Sequence, residues 1–146
     1  MIVYADATAI VKLYVTERGS SDVAELLTRA QIVGTSIISR VEVAAALARA
    51  TRVGVLSATS GRAAQRAFAR GWPDVAKVLV TEALINQAET VAWDHGLRGY
   101  DALQLASALT WKEAVGEDVF LATYDHELWD AAEDAGLRRW PEKFPR

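Results

Sequence analysis

Ile2-Val-Tyr-Ala-Asp6-Ala-Thr8-Ala-Ile-Val-Lys-Leu-Tyr14 opens the chain with an apolar run, an acid and a helical pattern in succession. The short apolar run 2–5, with no polar alternation, fits a strand buried on both faces. Apolar residues then fall at helical spacing, so a helix over 8–17 comes directly after, with Asp6 at the joint. The alternation continues outward. A helix over 20–30, opened by Ser20 or Ser21 as a cap, leads to a strand over 31–35. Helices over 39–52, ending before Gly54, and over 57–71, opened by Ser57 and stopped before Pro73, form a pair. A strand over 76–80, helices over 82–95 and 101–115, a strand over 119–123, a helix over 127–135 closed at Gly136 and a short strand over 137–140 complete the series. Strands alternating with helices predict an α/β fold, a central parallel sheet of about five strands covered by helices on both faces.

Composition agrees with one domain over residues 1–146. The chain is 51% hydrophobic and 24% charged, with 9 Gly, 3 Pro and no cysteine. A chain this long buries a core without disulfides or structural zinc, and no repeat, low-complexity tract or linker divides it. The lack of cysteine excludes zinc ribbons, disulfide scaffolds and thiol nucleophiles. The longest uncharged stretches, 30–39 and 102–111, are about half the length a helix needs to cross a bilayer, so no membrane span is expected. Met1 to Asp6 has no basic segment and Lys12 interrupts the apolar run beyond it, which does not read as a secretory signal; a cytoplasmic protein is the expectation.

The net charge of -3 argues against non-specific coating of nucleic acid, which rests on neutralising many phosphates. The average hides an asymmetry. Residues 40–77 carry 7 basic and 2 acidic side chains, whereas residues 78–146 carry 6 basic and 13 acidic. A polyanion can dock on the basic middle block.

Four acids stand out. Asp6 follows the first strand, Asp125 follows the Val119 strand in Thr123-Tyr124-Asp125, and Asp101 opens a helix. In open parallel sheets the ligand crevice lies beyond the carboxyl ends of the strands. Glu42 sits among Ile38, Val41, Val43 and Ala46, an acid in core-like sequence. Helix capping explains each acid singly: Asp is a good N-cap, and Ser39-x-x-Glu42 matches a capping box. Capping does not require them to converge. If they do, two carboxylates 4 Å apart repel by about 4 kcal/mol at an effective dielectric near 20, so they share protons or hold a cation. All-oxygen ligation points to Mg²⁺ or Mn²⁺, ions of phosphate chemistry. No glycine-rich phosphate loop, nucleophile elbow or zinc-protease motif competes. His95 and His126, beside Asp94 and Asp125, read as surface residues, and the tryptophans Trp72, Trp93, Trp111, Trp129 and Trp140 as core or interface.

The opening segment resembles that of PIN-domain proteins, in particular the VapC-type toxins of toxin–antitoxin pairs. The likeness continues in order through Ile38-Ser-Arg-Val-Glu42-Val-Ala-Ala-Ala-Leu, Gly96-Leu-Arg-Gly-Tyr-Asp101-Ala-Leu-Gln-Leu-Ala and Phe120-Leu-Ala-Thr123-Tyr-Asp125-His-Glu-Leu128, spanning almost the whole chain. The resemblance implies a three-layer α/β fold and a metal-dependent ribonuclease site of Asp6, Glu42, Asp101 and Asp125. It implies Asp6 and Asp101 as direct metal ligands, Glu42 and Asp125 as ligands directly or through water, and Thr8 and Thr123 as supporting hydroxyls. The residue after the first Asp is often Thr or Ser in the family and is Ala7 here, a departure that removes one hydroxyl. A homodimer and a small DNA-binding antitoxin are implied as well.

Arg62, Arg66 and Arg70 recur every four residues along one helix face, and Arg40 and Arg49 flank Glu42. These five suit phosphates of RNA or an antitoxin, although a solvated face explains the stripe equally well. Two other readings compete with the nuclease. A phosphotransferase of the haloacid-dehalogenase type needs a second Asp where this chain has Thr8. A non-catalytic RNA- or partner-binding module on the same fold predicts binding that ignores Mg²⁺.

Overall fold

The structure, a computed structural model, describes residues 1–145. Its strands are β1 (Ile2–Ala5), β2 (Ile32–Ser36), β3 (Ala76–Val78), β4 (Val119–Ala122) and β5 (Arg138–Trp140). They form one sheet in the order β3-β2-β1-β4-β5 with every neighbouring pair parallel, as the strand–helix alternation requires. The helices are α1 (Ala7–Val11), α2 (Ser20–Arg29), α3 (Ser39–Arg52), α4 (Ala58–Gly71), α5 (Glu82–His95), α6 (Gly99–Val115) and α7 (His126–Asp134). Among the described residues, no helix is long and apolar enough to cross a membrane.

The pleat of β1 sorts its side chains between two cores. Ile2 and Tyr4 enter the cluster built with α5, α6 and α7; Val3 and Ala5 enter the one built with α1, α3 and α4. Helices therefore cover both faces, giving three layers. Gly34 in β2 allows α6 to come close, since a Cβ there would stand 2.7 Å from the Trp111 ring.

The strand order reverses between β1 and β4, and there the loops after both strands emerge side by side. Ala5 pairs with Ala122, and the Asp6 N–H donates to the Ala122 carbonyl at 3.1 Å. The residues following β1 and β4 are thus placed within reach of each other by sheet register alone.

Several boundaries differ from the sequence reading. The first helix ends at Val11 instead of running to residue 17: the N–H groups of Lys12, Leu13 and Tyr14 bond three residues back, tightening the chain out of α geometry. Neither Ser20 nor Ser21 caps α2; Gly19 does so with φ +89°, and the Ser20 hydroxyl donates to the Val15 carbonyl instead. The expected capping box of Ser39 and Glu42 is absent. Ser39 is already inside α3, and its hydroxyl faces Thr35 and Gln104. Trp72, Trp111 and Trp129 are buried, but Trp93 is 84% exposed and belongs to no core.

Candidate active site

Asp6 leaves the end of β1 and is only 3% exposed. It is a helix cap and more than a cap. Its Oδ1 accepts from the Ala9 N–H at 2.9 Å, closing the first turn of α1. The Thr8 hydroxyl lies 2.7 and 2.9 Å from the two carboxylate oxygens, and the Thr123 hydroxyl donates to Oδ2 at 2.6 Å. Thr8 Oγ1 in turn accepts from the Tyr124 N–H at 2.8 Å, and Thr123 Oγ1 from the Asp125 N–H at 3.0 Å. The two threonines tie the β4–α7 loop to the β1–α1 loop, with the buried carboxylate between them. Ala7, also buried, offers no hydroxyl.

Electrostatics links the remaining acids in a row. Burial raises the Asp6 carboxyl to about 6 despite its three donors, and the Glu42 charge adds to the rise. Glu42, half-buried on α3, is raised by burial, lowered by a hydrogen bond from Gln104 and raised by the charge of Asp101. Asp101 is raised by burial and by Asp125, against the lowering effect of Arg98, whose Nε stands 3.8 Å away. Asp101 sits in the first turn of α6, which starts at Gly99, so it is not the residue that opens that helix. Asp125 caps α7, its Oδ1 accepting from the Leu128 N–H at 2.9 Å. Asp6 thus feels Glu42, Glu42 feels Asp101 and Asp101 feels Asp125, with Arg98 the opposing charge beside Asp101.

Among the described residues, no three of His, Cys, Asp and Glu form a ready-made metal cage. The fit to a divalent ion rests on donor chemistry: hard carboxylate oxygens, no soft ligand, and mutual repulsion that a cation relieves. Glu42 and Thr8 line a shallow pocket of about 300 Å³ together with Lys12 and Tyr124. Asp101 and Arg98 lie on the rim of a wider cleft of about 810 Å³ between α5 and α6, where Ile85 and Tyr100 are exposed.

Arg62, Arg66 and Arg70 are exposed on α4, and Arg49 is exposed on α3. Arg40 is exposed near Glu42 in sequence, with its guanidinium 6.0 Å from the Trp72 ring. His95 closes α5, and His126 opens α7 with its Nδ1 3.3 Å from Asp130.

Sequence reasoning passed over two residues at this site. Lys12 donates to Glu17 and to the Arg18 carbonyl, both at 2.9 Å, and rests 4.2 Å from the Tyr124 ring centroid. Gln104 donates to Glu42 Oε1 at 2.7 Å. An amide inside the apolar run Ala-Leu-Gln-Leu-Ala was the signal available for it.

Comparison with known proteins identifies the family and the fold. The PIN domain family model matches residues 3–134. Ribonuclease VapC45 and Ribonuclease VapC49, both of Mycobacterium tuberculosis, are each 38% identical over 144 residues, covering 98% of this chain and 97% of theirs. Among solved structures, PAE2754 from Pyrobaculum aerophilum superposes with TM-score 0.67 at 20% identity, over 95% of this chain and 83% of that one. VapBC2 from Rickettsia felis, bound to a DNA fragment from its promoter, gives 0.64 at 13%, over 96% and 99%. At these identities the structural likeness carries the fold alone.

Proposed function

The chain belongs to the PIN-domain family, among its VapC-type members, and on that premise we propose that it is a Mg²⁺- or Mn²⁺-dependent endoribonuclease acting as the toxin of a toxin–antitoxin pair. The observation that carries the reading is a run of acids each raised by the charge of the next, Asp6 by Glu42, Glu42 by Asp101 and Asp101 by Asp125, with Asp6 buried at the sheet's switch point and its carboxyl raised to about 6. Structural caps have no need of such repulsion.

In this reading Asp6 and Asp101 hold the cation directly, and Glu42 and Asp125 hold it directly or through water. A bound divalent ion supplies Lewis acidity: it lowers the pKa of a water and offsets charge on the phosphodiester. Thr8 and Thr123 keep the Asp6 carboxylate ionised and oriented. Arg40, Arg49, Arg62, Arg66 and Arg70 guide phosphates of the RNA or bind the antitoxin.

Two relatives are named as ribonucleases, and a structural neighbour from Klebsiella pneumoniae is named as a toxin–antitoxin complex. A cognate antitoxin, a homodimer and an RNA substrate are the partners proposed here. The test is cleavage of single-stranded RNA by the purified chain with Mg²⁺, Mn²⁺ or EDTA. Cleavage confined to the metal-containing reactions is expected; undiminished cleavage in EDTA removes the metal reading, and binding without cleavage leaves a non-catalytic module. Expression alone should arrest growth of a bacterial host, and Asp6→Asn should relieve the arrest.

A further inference from the structure

Gln104 is 2% exposed on α6, one turn beyond Asp101. One of its partners, Tyr4, belongs to the apolar core built by Leu105, Leu121 and Val119. Burying an amide there is unfavourable unless all its polar atoms find partners, and they do. The Tyr4 hydroxyl donates to Gln104 Oε1 at 2.6 Å, and Gln104 Nε2 donates to Glu42 Oε1 at 2.7 Å and to Ser39 Oγ at 2.9 Å. Thr35 Oγ1 lies 2.6 Å from the Ala5 carbonyl and 2.7 Å from Ser39 Oγ. A hydroxyl has one proton and a carbonyl only accepts, so the Thr35 proton goes to Ala5 and the Ser39 proton to Thr35. The lone pairs of Ser39 are then open to the amide.

This inventory fixes the amide in one orientation. Turned over, its oxygen would face the Glu42 carboxylate, two acceptors with no proton between them. The chain of bonds runs from the Ala5 carbonyl, immediately before Asp6, through β2 and α3 to α6 and back to the Glu42 carboxylate. It joins partners 30, 65 and 62 residues apart in sequence, which no local structural need explains.

We propose that Gln104, oriented by Tyr4 and Ser39, is a positioning residue that aims the Glu42 carboxylate into the ribonuclease site. The inference rests on the reading of Glu42 as one of the site acids. A purely structural network would serve folding; a positioning network serves turnover. The two separate because replacing both members of a buried hydrogen-bonded pair by apolar groups of similar shape is nearly neutral for stability, whereas removing one leaves the other unsatisfied.

The experiment compares Gln104→Leu, Tyr4→Phe/Gln104→Leu and Glu42→Gln with the unaltered chain. The readouts are melting temperature, kcat and KM on a short RNA, and Mn²⁺ affinity of the RNA-free protein by EPR. Gln104→Leu is expected to lower the melting temperature and to reduce kcat by about tenfold or more, the scale of one hydrogen bond to a charged group. KM should stay within about twofold, since no contact to RNA is removed, while Mn²⁺ binds more weakly. The double variant should regain part of the melting temperature, because the Tyr4 hydroxyl is no longer left without its acceptor, and should keep the low kcat and weak Mn²⁺ binding; it also carries the test should Gln104→Leu fail to fold. Recovery of kcat together with stability in the double variant overturns the proposal while Glu42→Gln remains inactive. Full cleavage by Glu42→Gln instead removes Glu42 from the site, and the proposal falls with it.

Discussion

Thr123 Oγ1 donates to Asp6 Oδ2 at 2.6 Å across 117 residues of sequence, and both groups are buried at the seam between β1 and β4. The same oxygen accepts from the Asp125 N–H, so one hydroxyl serves the acids after both strands. Thr123→Val keeps the shape and removes both functions. Asp6 loses a donor that holds its carboxyl down, and the Asp125 N–H loses its acceptor. The substitution should destabilise by about 1–3 kcal/mol, read by urea unfolding, and should lower cleavage at neutral pH. Thr123→Ser, which retains the hydroxyl, should recover most of both. Equal activity in the Val variant would show that the hydroxyl does not support Asp6.

The arginine stripe gives a prediction independent of the carboxylates. Arg62, Arg66 and Arg70 are exposed on α4, which makes them available to a polyanion and equally suited to solvent. Replacing all three by Ala should weaken RNA or antitoxin binding and flatten the salt dependence of its affinity, because fewer counterions are released. An unchanged salt slope would identify a solvated face.

Much of this architecture is legible in the chain because its signals are local. The run Ile2–Ala5 reads as a buried strand, Ser57 caps α4 through its hydroxyl as its position suggests, and Thr81 and Gly96 bound α5 at the residues where periodicity starts and stops. Asp6 and Asp125 are caps in the structure, yet they also occupy the switch point, so the cap and site readings do not exclude each other. Distant partners decide the features that sequence does not reveal. Ser39 and Glu42 match a capping box, but Gln104, 62 residues beyond Glu42, captures both side chains, and the local pattern yields to the tertiary bond. The early end of α1 likewise comes from turns at Lys12–Tyr14 that residue spacing does not encode.

Gly34 tests the packing that holds α6, and with it Asp101, against the sheet. A Cβ at this position would lie 2.7 Å from the ring of Trp111, a buried residue of α6 with little room to withdraw. Gly34→Ala should destabilise by about 1–3 kcal/mol, as overpacking does, with a lower denaturant midpoint. Coupling it with Trp111→Leu should relieve the clash, so the pair should be less destabilised than the sum of the single changes. Additive effects would mean that the ring is not the obstacle.

Asp6→Asn distinguishes a cap from a metal ligand through stability as well as activity. The Asp6 carboxyl is raised from 3.8 to about 6, chiefly by burial, so the folded, metal-free protein binds its proton more tightly than the unfolded chain does. The resulting stabilisation is complete below about pH 3.8 and is lost as pH rises through about 6, a change of about 3 kcal/mol for a shift of this size. Metal-free protein should therefore lose stability between pH 4 and 6 through this group, and Asp6→Asn should flatten that portion of the pH profile. Asn still caps the Ala9 N–H through its oxygen and carries no charge beside Glu42, so at pH 7 the metal-free variant should melt at the same or a higher temperature. The gain stays below the full charge effect, because the Asn amide cannot accept the Thr123 proton at Oδ2. Added Mg²⁺ should then raise the melting temperature less than in the unaltered chain, since a ligand that binds only the folded state stabilises in proportion to its affinity, and cleavage should fall to background. An Asn variant with full cleavage and an unchanged Mg²⁺ response would make Asp6 a helix cap and nothing more.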